Sequence, residues 1–184
     1  LAACASQPSS TLGELPRTPQ ASIEQLLQQA AESPTEQAAA LRLSAADLAY
    51  QQKDLARANS ILEQVQLDSL KPAQQIYAST LRAELDMSRN KPKAALQALS
   101  HPSMERLGEL PVEQQVRSQL VRANALQATG QTLAAARERA YIAPLLSGAS
   151  ATHNQEAIWT LASSLPASEL QASGDVDLDG WLEL

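Results

Sequence analysis

The chain has 184 residues, a formal net charge of −6 and 44% hydrophobic residues, enough for one large or two small domains with a buried core. Aromatics make up 3% with no phenylalanine, glycine is scarce, and alanine and leucine dominate, which favours helices over strands. The acidic balance and the dispersed lysines, Lys53, Lys71, Lys91 and Lys93, argue against a nucleic-acid partner, because neutralising phosphates takes clustered Lys and Arg; no run approaches the roughly 20 apolar residues of a membrane-spanning helix.

The only cysteine stands at the start. Leu1-Ala2-Ala3-Cys4 has the form of a bacterial lipobox, the end of a lipoprotein signal peptide without its upstream hydrophobic part. Cleavage before Cys4 would leave its sulfur to carry a diacylglycerol, and with further acylation, palmitate being typical, the chain would be stably anchored. The alternative is a lone surface cysteine in a chance four-residue match. Position at the extreme terminus favours the lipobox, so Cys4 is the expected lipidation site. Ala5 and Ser6 lack the acidic residue that often retains lipoproteins at the inner membrane, so general sorting rules point to the periplasmic face of a Gram-negative outer membrane. Residues 5–19 hold Pro8, Pro16 and Pro19 among Ser, Thr and Gly, a composition that cannot bury itself and reads as a tether. If flexible, such a tether spans about 20–25 Å on average.

Eight helices and a brief closing turn are expected after it. Ser22 and Gln25 have capping-box spacing ahead of Ile23, Leu26, Leu27 and Ala30, which predicts a helix near 20–32. Ser33-Pro34-Thr35-Glu36 reads as a second start, with Ser33 as cap, Pro34 in the first turn and Glu36 closing the box. Helices follow near 34–52 and 54–67. Pro72 opens one to about Arg89, and Pro92 a short one to about Ser100. His101-Pro102 breaks the pattern into an irregular link with room for a short helical turn. Helices near 111–129 and 131–147 come next, with Pro144 expected to kink or end the latter. Residues 147–151 read as a loop, Thr152 and Gln155 as another capping box, and 153–165 as a helix with Ile158, Leu161, Ala162 and Leu165 inward. A brief turn follows Pro166 around 168–172. Gly180-Trp181-Leu182-Glu183-Leu184 looks like a helix just beginning, so 175–184 is expected to lead into a further C-terminal domain.

One unit recurs within this series. Ala46 and Ala58, Ala83 and Ala95, and Ala123 and Ala135 are pairs twelve residues apart, each astride a short turn: Lys53-Asp54, Asn90-Lys91 and Gly130-Gln131. Antiparallel helices joined tightly approach closely only where facing side chains are small. The turns lie 37 and then 40 residues apart, close to the 34 residues of a tetratricopeptide (TPR) unit. Apolar stripes agree: Ala38, Leu41, Ala45, Leu48; Leu55, Ala58, Leu62, Val65; Leu133, Ala136, Ala140, Ala143; and the variant Val112, Val116, Leu120, Ala123. The fold expected over 20–174 is therefore all-α, a TPR-like superhelical array of antiparallel helical hairpins, an α-solenoid. Such arrays serve more often as scaffolds or binding surfaces than as catalysts.

Chemistry is sparse. His101 and His153, the only histidines, sit beside expected helix boundaries without a Cys or paired carboxylate, so surface or capping roles outweigh metal ligation. There is no Gly-rich phosphate loop and no Gly-x-Ser-x-Gly elbow. Glu32 to Glu36 and Arg137-Glu138-Arg139 read as solvated helix faces. Asp175-Val176-Asp177-Leu178-Asp179-Gly180 matches the first six positions of an EF-hand loop. The bidentate Glu would fall beyond Leu184, and the preferred reading is an acidic helix start with Asp179 near the N-terminal dipole. Calcium at Asp175, Asp177 and Asp179 stays open, and no cofactor, metal site or catalytic residue is expected.

Together these features resemble the N-terminal, TPR-like domain of the LpoA family of outer-membrane lipoproteins. The residues that carry the resemblance are Ile158-Trp159-Thr160-Leu161, the stretch from Leu165 to Leu170, Gly180-Trp181-Leu182-Glu183-Leu184, and Gln52-Lys53-Asp54-Leu55 in the first turn. The resemblance implies an activator of a class A penicillin-binding protein, which polymerises and crosslinks peptidoglycan. It implies that a C-terminal domain resembling periplasmic binding proteins docks on the synthase. This chain would be the membrane-proximal arm, with peptidoglycan a further candidate contact, and no catalytic residue is carried over. The alternatives are another envelope TPR lipoprotein binding a protein or peptide, such as a secretion pilot or outer-membrane assembly factor, and a wall-cleaving enzyme whose catalytic domain lies elsewhere.

Overall fold

The structure, a computed structural model, describes residues 21–172. Among them the regular elements are helical: α1 (Ile23–Ala31), α2 (Thr35–Gln51), α3 (Leu55–Leu62), α4 (Pro72–Ser88), α5 (Pro92–Ala98), α6 (Val112–Ala128), α7 (Thr132–Ile142), α8 (Gly148–Ser163) and α9 (Ala167–Ala172), with 3-10 turns at Leu67–Ser69, Pro102–Glu109 and Ala143–Leu145. The fold is all-α and TPR-like. Cys4, the tether over 5–19, Asp175, Asp177, Asp179 and the closing Trp181 segment lie outside the described residues. The described residues form two compact units divided between Leu81 and Arg82, with Pro102–Leu107 belonging to the first.

The three turns behave alike. Lys53, Asn90 and Gly130 have φ of +66°, +57° and +79°, the left-handed conformation that ends a helix. After each, one amide reaches back to a carbonyl of the last helical turn: Asp54 to Ala49 at 2.9 Å, Lys91 to Asp86 at 2.8 Å and Gln131 to Leu126 at 2.9 Å. These are the long bonds of a Schellman motif. The alanines beside the turns, Ala46, Ala58, Ala83, Ala95, Ala123 and Ala135, are all at 0% exposure.

In the first unit, α1 packs on α2 and α2 on α3. The α1 capping box forms as its spacing predicts: Gln25 N–H donates to Ser22 Oγ at 3.2 Å and Ser22 N–H to Gln25 Oε1 at 2.8 Å. With a neighbour on either side, α2 buries Ala38, Ala39, Ala40, Leu41, Leu43, Ala45, Ala46 and Ala49, more than the single stripe of the sequence pattern. The expected Ser33 cap does not form. Ser33 Oγ donates instead to Gln29 O at 2.6 Å, at the end of α1, and α2 starts from Pro34 without a side-chain cap. Helix α3 stops at Leu62 rather than near 67, and the Gln75 side-chain amide donates to Leu67 O at 3.0 Å beyond it. No periodicity announces a latch of that span. Leu55, first in its stripe, is exposed, as is Val112 in α6.

In the second unit, α5 packs on α6, α6 on α7 and α7 on α8. The Gln115 side-chain amide donates to Leu110 O at 2.7 Å, fixing the start of α6. Arg117 on α6 donates from Nε and Nη2 to both carboxylate oxygens of Glu84 at 2.8 and 2.6 Å, a forked pair that is directional as well as charged. Pro144 acts as expected: α7 ends at Ile142 and passes into a 3-10 turn. Helix α8 begins at Gly148, so 148–151 is its first turn and not a loop. Thr152 does not cap it, because its hydroxyl donates to Gly148 O within the helix.

Candidate functional site

The most unusual chemistry among the described residues lies where α6, α7 and α8 meet. Arg139 on α7 is 7% exposed and Asn154 on α8 is 2% exposed. The guanidinium donates from Nη1 to Asn154 Oδ1 at 3.2 Å and from Nη2 to Asn124 Oδ1 on α6 at 2.8 Å. Asn154 Nδ2 returns a bond to the Arg139 backbone carbonyl at 2.9 Å. Arg139 Nε is buried without a hydrogen bond, and burial draws the guanidinium pKa down from its ordinary value. Next along the helix, Glu138 lies 3.4 Å from Arg122 Nε. Burial pushes its carboxyl above the usual carboxylate range, and the Arg122 charge pulls it the other way. The expectation that Arg137-Glu138-Arg139 forms a solvated face therefore holds only for Arg137, which is exposed.

The sequence held signals for this cluster. Arg139 falls four residues after Ala135, and Asn154 four before Ile158, so both lie on buried helical stripes. Their polarity hid them.

Tyr141 and Trp159 are large aromatics at 60% and 59% exposure. In the first unit a cleft of about 370 Å³ is lined by Thr35, Glu36, Asp68, Ser69, Leu70 and Lys71, mixed in charge and without a histidine or cysteine. His101 precedes the 3-10 turn at Pro102, whereas His153 sits exposed within α8 and not at a boundary. No group of three His, Cys, Asp or Glu able to hold a metal ion occurs among the described residues. Likewise, no helix there is long and apolar enough to cross a membrane. The cluster ties α6, α7 and α8 together through hydrogen bonds to a charged group, and it contains no nucleophile paired with a base.

Comparison with known proteins gives a consistent result. A family model described as LppC putative lipoprotein matches residues 16–184. A structure of Haemophilus influenzae LpoA aligns with a TM-score of 0.59 and 18% identity over 90% of this chain and 31% of that one. The LpoA N-terminal domain from the same organism aligns with a TM-score of 0.55 and 18% identity, covering 90% of this chain and 75% of that one. At such identity the likeness speaks for the fold, and this chain spans about a third of the longer LpoA chain. No curated protein matches the sequence.

Proposed function

We propose the following role for a chain that belongs to the LppC family of putative lipoproteins: it is the N-terminal arm of an outer-membrane lipoprotein that activates a class A penicillin-binding protein in peptidoglycan synthesis. The observation that carries this reading is a lipoprotein-family match over residues 16–184 on the helical-hairpin fold of the LpoA N-terminal domain. In this reading Cys4 bears the lipid, residues 5–19 act as tether, residues 20–174 form a helical arm and 175–184 leads to a further domain that meets the synthase. The arm itself performs no catalysis. Helices as long as α2, 17 residues, extend about 25 Å at 1.5 Å per residue, and stacked hairpins give an arm its stiffness.

The anchor is tested in the full-length precursor. Cys4→Ser should abolish labelling by a radioactive fatty acid and release the protein from the outer-membrane fraction. A Cys4→Ser protein that still took up label would end this assignment.

A further inference from the structure

The three hairpin turns share one backbone and differ in charge. The second residue of each turn is the N-cap of the helix that follows: Asp54 for α3, Lys91 for α5 and Gln131 for α7. Helix polarity favours an acid there, and Asp54 conforms, its carboxylate accepting from Arg57 N–H at 3.1 Å. At the middle turn a lysine stands in that place and makes no side-chain cap. Lys93 adds a second positive charge in the first turn of α5, and Arg89, which suits the C-terminal end of α4, adds a third. Three of the 14 cations of an acidic chain thus fall on one turn. All three are exposed, and no Asp or Glu occurs from Met87 to Met104. Mutual repulsion and the polarity of α5 both oppose Lys91 and Lys93, so folding does not account for them.

The backbone holds these charges in place. Asn90 has φ of +57°, and the N–H groups of Arg89 and Lys91 both donate to Asp86 O, at 3.1 and 2.8 Å. The tip Arg89-Asn90-Lys91-Pro92-Lys93 carries no large apolar side chain. Protein interfaces are centred on well-packed aromatic anchors and are poor in lysine, whereas a lipid headgroup layer holds a basic segment by charge alone. Three cations fall short of the basic stripe that a nucleic acid takes. We propose that the α4–α5 turn is a lipid-facing contact, with Arg89, Lys91 and Lys93 resting on anionic headgroups of the membrane in which Cys4 is anchored. Three charges hold weakly by themselves, and the anchor adds to them by keeping the domain at high local concentration beside the membrane. The chain as a whole is acidic, at −6, so the same headgroups repel its other faces and favour contact at this turn. The inference rests on the proposed lipid anchor and adds which part of the arm meets the lipid.

Cys4 is the only cysteine, so the chain can be coupled there to a maleimide-bearing lipid in preformed vesicles, which supplies the anchor whether or not a cell would lipidate it. Vesicles of mixed phosphatidylcholine and phosphatidylglycerol are compared with vesicles of phosphatidylcholine alone, at about 0.15 M salt. Mass spectrometry follows the acetylation rate of each lysine, Lys53 and Lys71, exposed in the first unit, serving as internal references. On the anionic vesicles Lys91 and Lys93 should react at least about fivefold more slowly than on the neutral ones, the effect of one such charge at an anionic surface. Lys53 and Lys71 should keep one rate on both. Arg89→Ser, at an exposed position between α4 and α5, should return most of the difference, and high salt all of it. Equal rates on the two vesicles, equal protection of Lys53 and Lys71, or an unchanged pattern in Arg89→Ser would overturn the assignment. So would equal protection by soluble polyglutamate, the outcome expected of an acidic protein site. Failure of fatty-acid labelling at Cys4 in the precursor would instead strike the anchor and leave this measurement as it stands.

Discussion

Around the turn of the α2–α3 hairpin, the side chains sealed completely from solvent are Leu43, Ala45, Ala46, Ala49 and Ala58, all apolar, and the buried Asn59 donates to Glu63 one turn along its own helix. The α6–α8 region also has fully buried alanines at its turn, yet it adds Arg139 and Asn154, at 7% and 2% exposure, hydrogen-bonded across the helices. One turn geometry thus closes two kinds of interior. The first relies on shape, where contacts are non-directional and the main hazard is excess volume. The second relies on hydrogen bonds between helices, which hold only in one arrangement and are costly to leave half made. A helical array can therefore repeat its turns faithfully while differing along its length in what it tolerates.

The largest effect that separates the two is expected at Asn154. Asn154→Ala removes a bond from a charged donor and leaves the Arg139 carbonyl unsatisfied, a loss of about 3 kcal/mol given about 1.5–3 for hydrogen bonds to charged groups. Urea unfolding measures it, and a loss below about 1 kcal/mol would mean the network contributes no more than an ordinary neutral hydrogen bond. A smaller cost is expected in the apolar hairpin. Ala58→Leu, at a position with 0% exposure, should overpack it by roughly 1–3 kcal/mol. An unchanged denaturation midpoint would show that shape is not what limits that hairpin.

The smallest effect concerns pH. The Glu138 pKa is raised in the folded chain above its ordinary 4.5, so folding favours its protonated form. Its stabilising contribution is present below about 4.5 and is lost as pH rises through the higher folded value. Glu24, held below its ordinary value by its hydrogen bond from Arg57, runs in the opposite sense and loses its contribution as pH falls. Glu138→Gln should therefore flatten the decline of stability above pH 4.5 and leave the acid limb in place. Parallel pH profiles for variant and wild type would remove the polar junction from the pH dependence.

These contrasts also mark how far the sequence could be read. The hairpins were legible because small residues must face one another across a tight turn, and a left-handed residue must end the preceding helix. Gly130 and Asn90 advertise that conformation. Lys53 does not, but its place between Ala46 and Ala58 does. Local caps were legible only where nothing competed. Ser22 caps α1, whereas Ser33 satisfies the carbonyl of Gln29 at the end of α1 and leaves α2 to start at a proline. Thr152 has the spacing of a cap, yet its hydroxyl bonds back along the helix, a habit of Ser and Thr in helix interiors. Arg139 was missed for a different reason. Its position on the helix marked it as buried while its charge marked it as solvated, and only the neighbouring helices, through Asn124 and Asn154, decide between the two.

The central claim, that this chain is an arm and not the activating surface, is tested by glycan synthesis in solution. The class A penicillin-binding protein proposed as partner would be supplied with lipid-linked precursor, and the 184-residue chain and the longer lipoprotein proposed to contain it would be added separately at equal concentration. The account predicts that the longer protein raises polymerisation and crosslinking while the chain alone leaves both at the level of the enzyme by itself. Stimulation by the chain alone would place the contact on the helical hairpins and contradict the account.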